Sequence, residues 1–253
     1  MKIIVIGGTG LIGAKAVDML RQQGQHAVAG VPSTGVDIVT GRGLKEALEG
    51  ANVVIDVSNS PALDGTAAMD FFQIAGRNIA TAEKAAGVGH RVALSVVGTE
   101  RLQDSGYFRA KLAQEELIRA SPIPHTLVRA TQFFEFLRGI ADSATDGDTV
   151  RLPDARFQPM AARDVAAAIA GAALGAPAHG TVEIAGPEPF RIDELVARVL
   201  AHDGDTRRVI PAPGAPYFGV SLDEASLMPG LDVRLSATTF EWWLANVPPP
   251  VKR

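Results

Sequence analysis

The sequence has no cysteine. That excludes a disulfide framework, a thiolate nucleophile and any thiolate-held zinc or iron–sulfur centre, and leaves the chain indifferent to the redox state around it. An excess of charge is missing too: 24 Lys and Arg against 28 Asp and Glu give a formal net charge of −4, with no block of one sign. Such a surface lacks the basic face that nucleic acid or an anionic membrane requires. Gly, Asp, Arg or Lys interrupts every apolar window before the ~18 residues of a membrane span. The opening MKIIVIGG has four apolar residues and then glycines, short of the apolar core of about 7 to 15 residues in a signal peptide, so a soluble cytoplasmic protein is expected. The five histidines, His26, His90, His125, His179 and His202, show no pair at metal-ligand spacing, and neither HExxH nor G-x-S-x-G occurs. Metal-dependent and serine hydrolysis therefore have no anchor, and no metal is expected. Tyrosine is nearly absent as well, with only Tyr107 and Tyr217 against ten Phe. A tyrosine inside a chemical motif thus stands out from its background.

What is present is an alternation. In 253 residues, a length between one and two domains of about 150, the first 130 alternate short β-branched runs with longer helical patterns, the signature of βαβ units on a parallel sheet. Strands are expected at Ile3 to Ile6, His26 to Val31, Val36 to Val39, Asn52 to Val57, Val92 to Val97 and His125 to Val128. Between them, Leu11, Ile12, Ala16, Val17, Met19 and Leu20 are spaced for a helix that Gly24 stops. Leu44 to Leu48 reads as a brief helix, Asp64 to Ala86 as a long one ended by Gly87, and Tyr107 to Ala120 as one closed by Ser121-Pro122.

Past Thr131 the pattern changes to a Phe-rich helix, extended pieces around Val150 and Phe157, and an alanine-rich helix from Ala161 to Leu174. A strand at Thr181 to Ile184, a helix at Ile192 to Leu200 and a strand at Arg207 to Pro211 follow. A last helix, Ser236 to Asn246, has Ser236 as its expected N-cap and Pro248, Pro249 and Pro250 as its stop. The expectation is a doubly wound α/β sheet over residues 1–130. Residues 131–253 form a small C-terminal substrate lid, interleaved with the last strands of the core.

Two constellations carry chemistry. In IIVIGGTGLIG, Gly7, Gly10 and Gly13 recur every three residues between a strand and a helix. The first glycine allows the tight turn, the second lets backbone amides approach a pyrophosphate, and the third lets the helix pack on the sheet. A dinucleotide site of this kind usually places an acid at the end of the second strand for a ribose 2′-hydroxyl. No Asp or Glu lies between Asp18 and Asp37. Ser33 and Thr34 stand there instead and suit a 2′-phosphate, which favours NADP(H) over NAD(H), although no cation lies between Arg21 and Arg42. The second constellation is Tyr107 and Lys111, one turn apart at the start of a helix, with Ser95 near the C-terminal end of the strand before it. A neighbouring ammonium lowers a phenol from its usual pKa near 10, so Tyr107 is expected to exchange a proton with a substrate oxygen that Ser95 holds.

With these residues in hand the chain resembles the short-chain dehydrogenase/reductase superfamily, in its atypical NmrA-like and NAD(P)H:quinone oxidoreductase-like branch. The resemblance runs over GGTGLIG, VVIDVSN, RNIATAEKAAGV, LSVVGTERL, YFRAKLAQEELI and FQPMAARDVAAAI. It implies a Rossmann fold and hydride transfer at a nicotinamide. Ser95, Tyr107 and Lys111 match the catalytic serine, tyrosine and lysine, with Lys111 also on the nicotinamide ribose. Gly7, Thr9, Gly10, Leu11, Ile12 and Gly13 match the pyrophosphate loop, and Val57 and Ser58 the segment beside the adenosine ribose. One departure stands out: the superfamily's asparagine early in the long helix has no counterpart in Asp70-Phe71-Phe72-Gln73, and Asn78 lies too far along.

The resulting expectation is an NAD(P)H-dependent reductase for a small carbonyl or quinone, a monomer or homodimer with a small-molecule substrate. The incomplete relay keeps open an NmrA-like NADPH-binding sensor without turnover, and the superfamily also contains sugar-nucleotide epimerases and dehydratases, which a short lid suits less. Phe133, Phe134 and Tyr217 are candidates to line the substrate pocket, although 133, 136 and 137 share a helical face and two of the three phenylalanines are as readily core. Tyr217 and Phe218 lie in a Pro/Gly-rich loop and could form a mobile cover, and Arg207-Arg208 reads as a solvated pair.

Overall fold

The computed structural model describes residues 1–62 and 64–248; Pro249 and Pro250, part of the expected helix stop, lie outside them. The chain forms two compact units, one of Met1–Ala130 with Val165–Val182, the other of Thr131–Asp164 with the described residues from Glu183 onward.

The first unit opens with β1 (Lys2–Ile6), whose Ile3, Ile4, Val5 and Ile6 are all buried. A strand covered on both faces belongs inside a parallel sheet. After α1 (Gly13–Gln22) comes β2 (His26–Gly30), then a 3-10 turn at Pro32–Thr34, α2 (Leu44–Leu48) and β3 (Val53–Asp56). The long α3 (Gly65–Ala86) is capped by the Asp64 carboxylate, which accepts from Ala67 N, and ends at Gly87 with φ +67°. Then come β4 (His90–Val96), α4 (Gly106–Arg119) and β5 (His125–Ala130). Strand β1 pairs in parallel with β2 on one side and β3 on the other, while β4 continues from β3 and β5 from β4. The order therefore reverses between β1 and β3, and in such sheets the ligand crevice lies outside the carboxyl ends of the strands at that reversal. Ile6 is in register with both Gly30 and Asp56, so Gly7, Val31 and Val57 leave the sheet at one level.

Thr131 begins the second unit, with a 3-10 turn at Phe134–Phe136, α5 (Leu137–Ser143), β6 (Thr145–Asp146), β7 (Thr149–Leu152) and β8 (Arg156–Phe157). Helix α6 (Ala162–Leu174) begins there and returns to the first unit. Strand β9 (Gly180–Ala185) starts in the first unit and ends in the second. Next are β10 (Phe190–Arg191), α7 (Ile192–His202), β11 (Arg208–Pro211), β12 (Arg234–Leu235) and α8 (Phe240–Asn246). Within the second unit β12 pairs in parallel with Ile184 and Ala185 of β9, β11-β7-β6 form a small sheet, and β8 pairs with β10. Counted across the chain, one parallel sheet has the order β12-β9-β5-β4-β3-β1-β2. This is the doubly wound Rossmann-type α/β architecture. The second unit has its own core: Phe134, Phe240 and Trp243 pack edge and face, and Leu195, Val196 and Val199 of α7 are buried as well.

Three local expectations are corrected. Val36 to Val39 is a turn rather than a strand, because the Asp37 carboxylate accepts from Val39 N and Thr40 N and so closes the chain on itself. Val36 is buried all the same, among Ile4, Ile6, Leu44 and Leu48. The last helix starts at Phe240 with Thr239 as its cap, since Ser236 follows directly on β12. Leu11 is exposed and contributes nothing to the buried face of α1. Among the described residues no helix is long and apolar enough to cross a membrane, and no cluster could hold a metal ion.

Candidate active site

The glycine turn is set by contacts that only hydrogen can make. Gly7 has φ +78°, and a Cβ there would lie 3.0 Å from Val57 O and 3.1 Å from Ser58 N, so β1 and β3 leave the sheet in backbone contact. A Cβ on Gly13 would sit 2.2 Å from Gly7 O, which clamps the start of α1 onto the turn. Gly8, which the three-residue spacing passes over, is just as constrained: its Cβ would meet Ala29 Cβ at 2.6 Å. Gly10 by contrast has only Gly7 O nearby, at 3.3 Å, and with Thr9 and Leu11 it is exposed. An open backbone stretch ahead of a helix whose first turn has no side-chain cap is a cradle for an anion.

At the end of β2 the two hydroxyls differ. Thr34 Oγ1 is held within its own 3-10 turn by Val31 N, Val31 O and Ala29 O, whereas Ser33 is exposed. At the end of β3, Ser58 donates both its hydroxyl, at 2.6 Å, and its amide to Asp56 Oδ1.

Tyr107 and Lys111 stand one turn apart on α4, as their spacing requires. The Tyr107 hydroxyl donates to Asn59 Oδ1 at 3.0 Å. Lys111 is buried, gives its ammonium to Leu94 O at 2.9 Å and to Gln114 Oε1, and lies 4.6 Å from the centre of the Phe72 ring. The expected effect of the lysine on the phenol is therefore corrected. Burial pushes Tyr107 up to about 12, while burial takes the Lys111 ammonium down to about 8 against the pull of Asp56 and Glu115.

Ser95 is not aligned with that pair. Its buried hydroxyl donates to Glu115 Oε1 at 2.6 Å, and the same carboxylate receives Arg129 Nε and Nη2 and Arg119 Nη2. Burial would raise Glu115, but the Arg129 and Ser95 hydrogen bonds outweigh it and hold the group below the ordinary carboxylate range.

A second buried cluster lies behind Lys111. Arg91 reaches Asp56 at 2.9 Å and Glu83 at 3.4 Å, and Gln114 Nε2 donates to Asp56 Oδ2 at 3.1 Å. Burial would raise Asp56, yet Arg91, Ser58 and Lys111 keep it low. Glu83 has an unpartnered Oε1 and is pushed up to about 7 by burial. Sequence reasoning passed over Asp56, Arg91, Gln114, Glu115 and Asn59. One signal was available: a carboxylate inside the apolar run VVIDV and a guanidinium inside HRVAL are each too costly to bury alone. Asn78 anchors the turn after β2 by donating to Ile38 O and Val39 O.

The aromatic candidates all belong to the second unit. Phe134 is core, 1% exposed. Phe133 is half-buried and stacks on Phe136, which is 50% exposed. Tyr217 is buried and bonded both ways through its backbone to Val220, while Phe218 beside it is exposed at φ +46°. Arg207 is braced by Asp205 and Asp142 rather than free in solvent.

Comparisons with known proteins agree with this fold. Solved structures of similar fold include MoeE5 in complex with UDP-glucose and NAD (TM-score 0.74, 18% identity, 97% of this chain and 96% of that one). A dTDP-4-dehydrorhamnose reductase from Clostridium acetobutylicum aligns with TM-score 0.71 and 17% identity over 92% and 89% of the two chains. An NADPH-dependent quinone oxidoreductase from Escherichia coli gives 0.66 and 20% over 83% and 78%. At these identities the likeness speaks for the fold. No curated protein sequence matches the chain. The NmrA-like family model matches residues 1–190, three quarters of the chain, and the chain therefore belongs to the NmrA-like family.

Proposed function

We propose that this protein binds a nicotinamide dinucleotide on the Gly7–Gly13 turn and reduces a small carbonyl or quinone. The residues present fit such a group: the turn is a cradle that a Cβ at Gly7 or Gly13 would fill, and it opens at the β1/β3 reversal. Leu11, Ile12 and Gly13 would face the pyrophosphate with backbone amides, while the Gly10 amide donates to Gly7 O at 3.0 Å and shapes the turn. Ser33, with no carboxylate between Asp18 and Asp37, supports NADP(H) over NAD(H). The dinucleotide, when bound, supplies the hydride.

The observation that carries the reading is the placement of Tyr107, whose hydroxyl donates to Asn59 Oδ1 at 3.0 Å and stands one turn from Lys111 on α4. A phenol pushed up to about 12 keeps its proton at neutral pH. It can give that proton to a forming alkoxide. Lys111, an ammonium one turn away, would hold the ribose and would stabilise the phenolate left on Tyr107 when the proton leaves. Ser95, bound to Glu115, acts on the site only by fixing that carboxylate.

The same withdrawal of Ser95 favours a second reading, an NADPH-binding sensor without turnover. Fluorescence titration with NADPH and NADH, followed by turnover on a panel of carbonyls and quinones, separates the two. Reduction that falls at least about tenfold in Tyr107→Phe supports the reductase. Full activity in that variant refutes the assignment of Tyr107, and tight nucleotide binding with no turnover on any substrate favours the sensor.

A further inference from the structure

We propose that Gln114 is a positioning residue that holds Lys111 on a neutral acceptor and keeps the buried Asp56 from pairing with it directly. The inference rests on the role given to Lys111 above. Gln114 is buried, and its carboxamide lies between opposite charges: Oε1 accepts from the Lys111 ammonium and Nε2 donates to Asp56 Oδ2 at 3.1 Å. Reversing the amide would place an NH2 against an ammonium and a carbonyl against a carboxylate, so its orientation is fixed by its neighbours. Asp56 is itself held in place by Arg91 at 2.9 Å and by the Ser58 hydroxyl at 2.6 Å. The chain of contacts therefore runs from a rigid strand end through one amide to the lysine.

The consequence lies in what Lys111 does not touch. Among the described residues no carboxylate forms an ion pair with it; both of its acceptors, Leu94 O and Gln114 Oε1, are neutral. Every charged group that faces it acts from beyond that shell: Asp56 on β3 and Glu115 on α4 favour the ammonium, and Arg91 on β4 opposes it. The Phe72 ring on α3 covers the remaining side. A carboxylate in direct contact would hold the proton through most of the accessible pH range. A neutral amide keeps the lysine in place yet leaves its proton exchangeable near neutrality, which a group that must follow the charge of a neighbouring phenol requires.

The test reads Lys111 itself in the ligand-free protein, so it stands or falls separately from turnover. The chain has six lysines, and labelling with 13Cε-lysine gives a resolvable set of titrating signals, with Lys111→Met making the assignment. Gln114→Met removes the acceptor without changing bulk, and the Lys111 midpoint should fall by about half a pH unit or more. Gln114→Glu places a carboxylate in contact, and the midpoint should rise by at least as much. Opposite shifts in two variants of similar size are not what general loosening of the fold produces. An unchanged midpoint in both variants, or a shift in the same direction in both, overturns the proposal.

Discussion

Glu115 offers the sharpest test of the buried polar framework. Its carboxylate is 1% exposed and receives Ser95 at 2.6 Å, Arg129 at 2.8 and 2.9 Å and Arg119 at 2.7 Å. In Glu115→Gln the shape survives and the charge does not, so Arg129, only 11% exposed, loses its ion pair with Glu115 and keeps the one with Glu100 at 2.6 Å. Arg119, at 39% exposed, is screened by water and adds little to the loss. Breaking a buried pair by removing one partner costs about 3 kcal/mol or more. For a chain of this size that lowers Tm by roughly 6 to 12 °C. Far-ultraviolet circular dichroism during thermal and urea denaturation measures it. Because Glu115 is held below its usual range, wild-type stability from this group is complete at neutral pH and is lost as pH falls through the folded-state pKa. The variant should have no such loss from this site. Replacing both partners, Glu115→Leu with Arg129→Met, should recover much of the deficit, because no buried charge then lacks a counterpart. A cost below about 1 kcal/mol in the single variant, or a double variant worse than the single, would refute the account.

Gly13→Ala should weaken nucleotide binding at least about tenfold, since its Cβ meets Gly7 O at 2.2 Å and the backbone must shift; undiminished affinity in a folded variant would contradict the clamp. Glu83, raised to about 7 when folded, binds a proton that the unfolded chain has already released, so stability should fall as pH rises from about 4.5 to 7 and level off above. Glu83→Gln should flatten that slope in urea titrations taken at several pH values. Phe134→Ala should destabilise the second unit by about 3 to 5 kcal/mol, and because both tryptophans, Trp242 and Trp243, lie in that unit, their fluorescence reports it selectively.

Much of the framework was legible because its causes are local. Helix α3 announces both ends, with Asp64 accepting from Ala67 N and Gly87 in the left-handed region, and β1 reads as a strand from four consecutive apolar residues. What the sequence misplaced depends on partners far along the chain or on a change of helical phase. The orientation of Ser95 is decided by Glu115 and Arg129, 20 and 34 positions away. The Tyr107 and Lys111 spacing was right, but the ammonium is drawn toward Leu94 O and Gln114, which no spacing encodes. Among the phenylalanines, a 3-10 turn at Phe134–Phe136 precedes α5. A 3.6-residue period counted from Phe133 therefore selects Phe136, when Phe134 is the one that enters the core.

The path of the chain between its two units also governs how the protein can be made or cut. It passes from one to the other after Ala130, after Asp164 and again after Val182. During synthesis the first unit cannot be completed when residue 130 emerges from the ribosome, because its share of α6 and the first half of β9 have not yet been translated. The second unit must likewise wait for the C-terminal third of the chain. No single proteolytic nick or stop codon can therefore separate two whole units, and a fragment ending at residue 130 would expose the edge of β5 that β9 covers in the full chain, an invitation to pair with another copy.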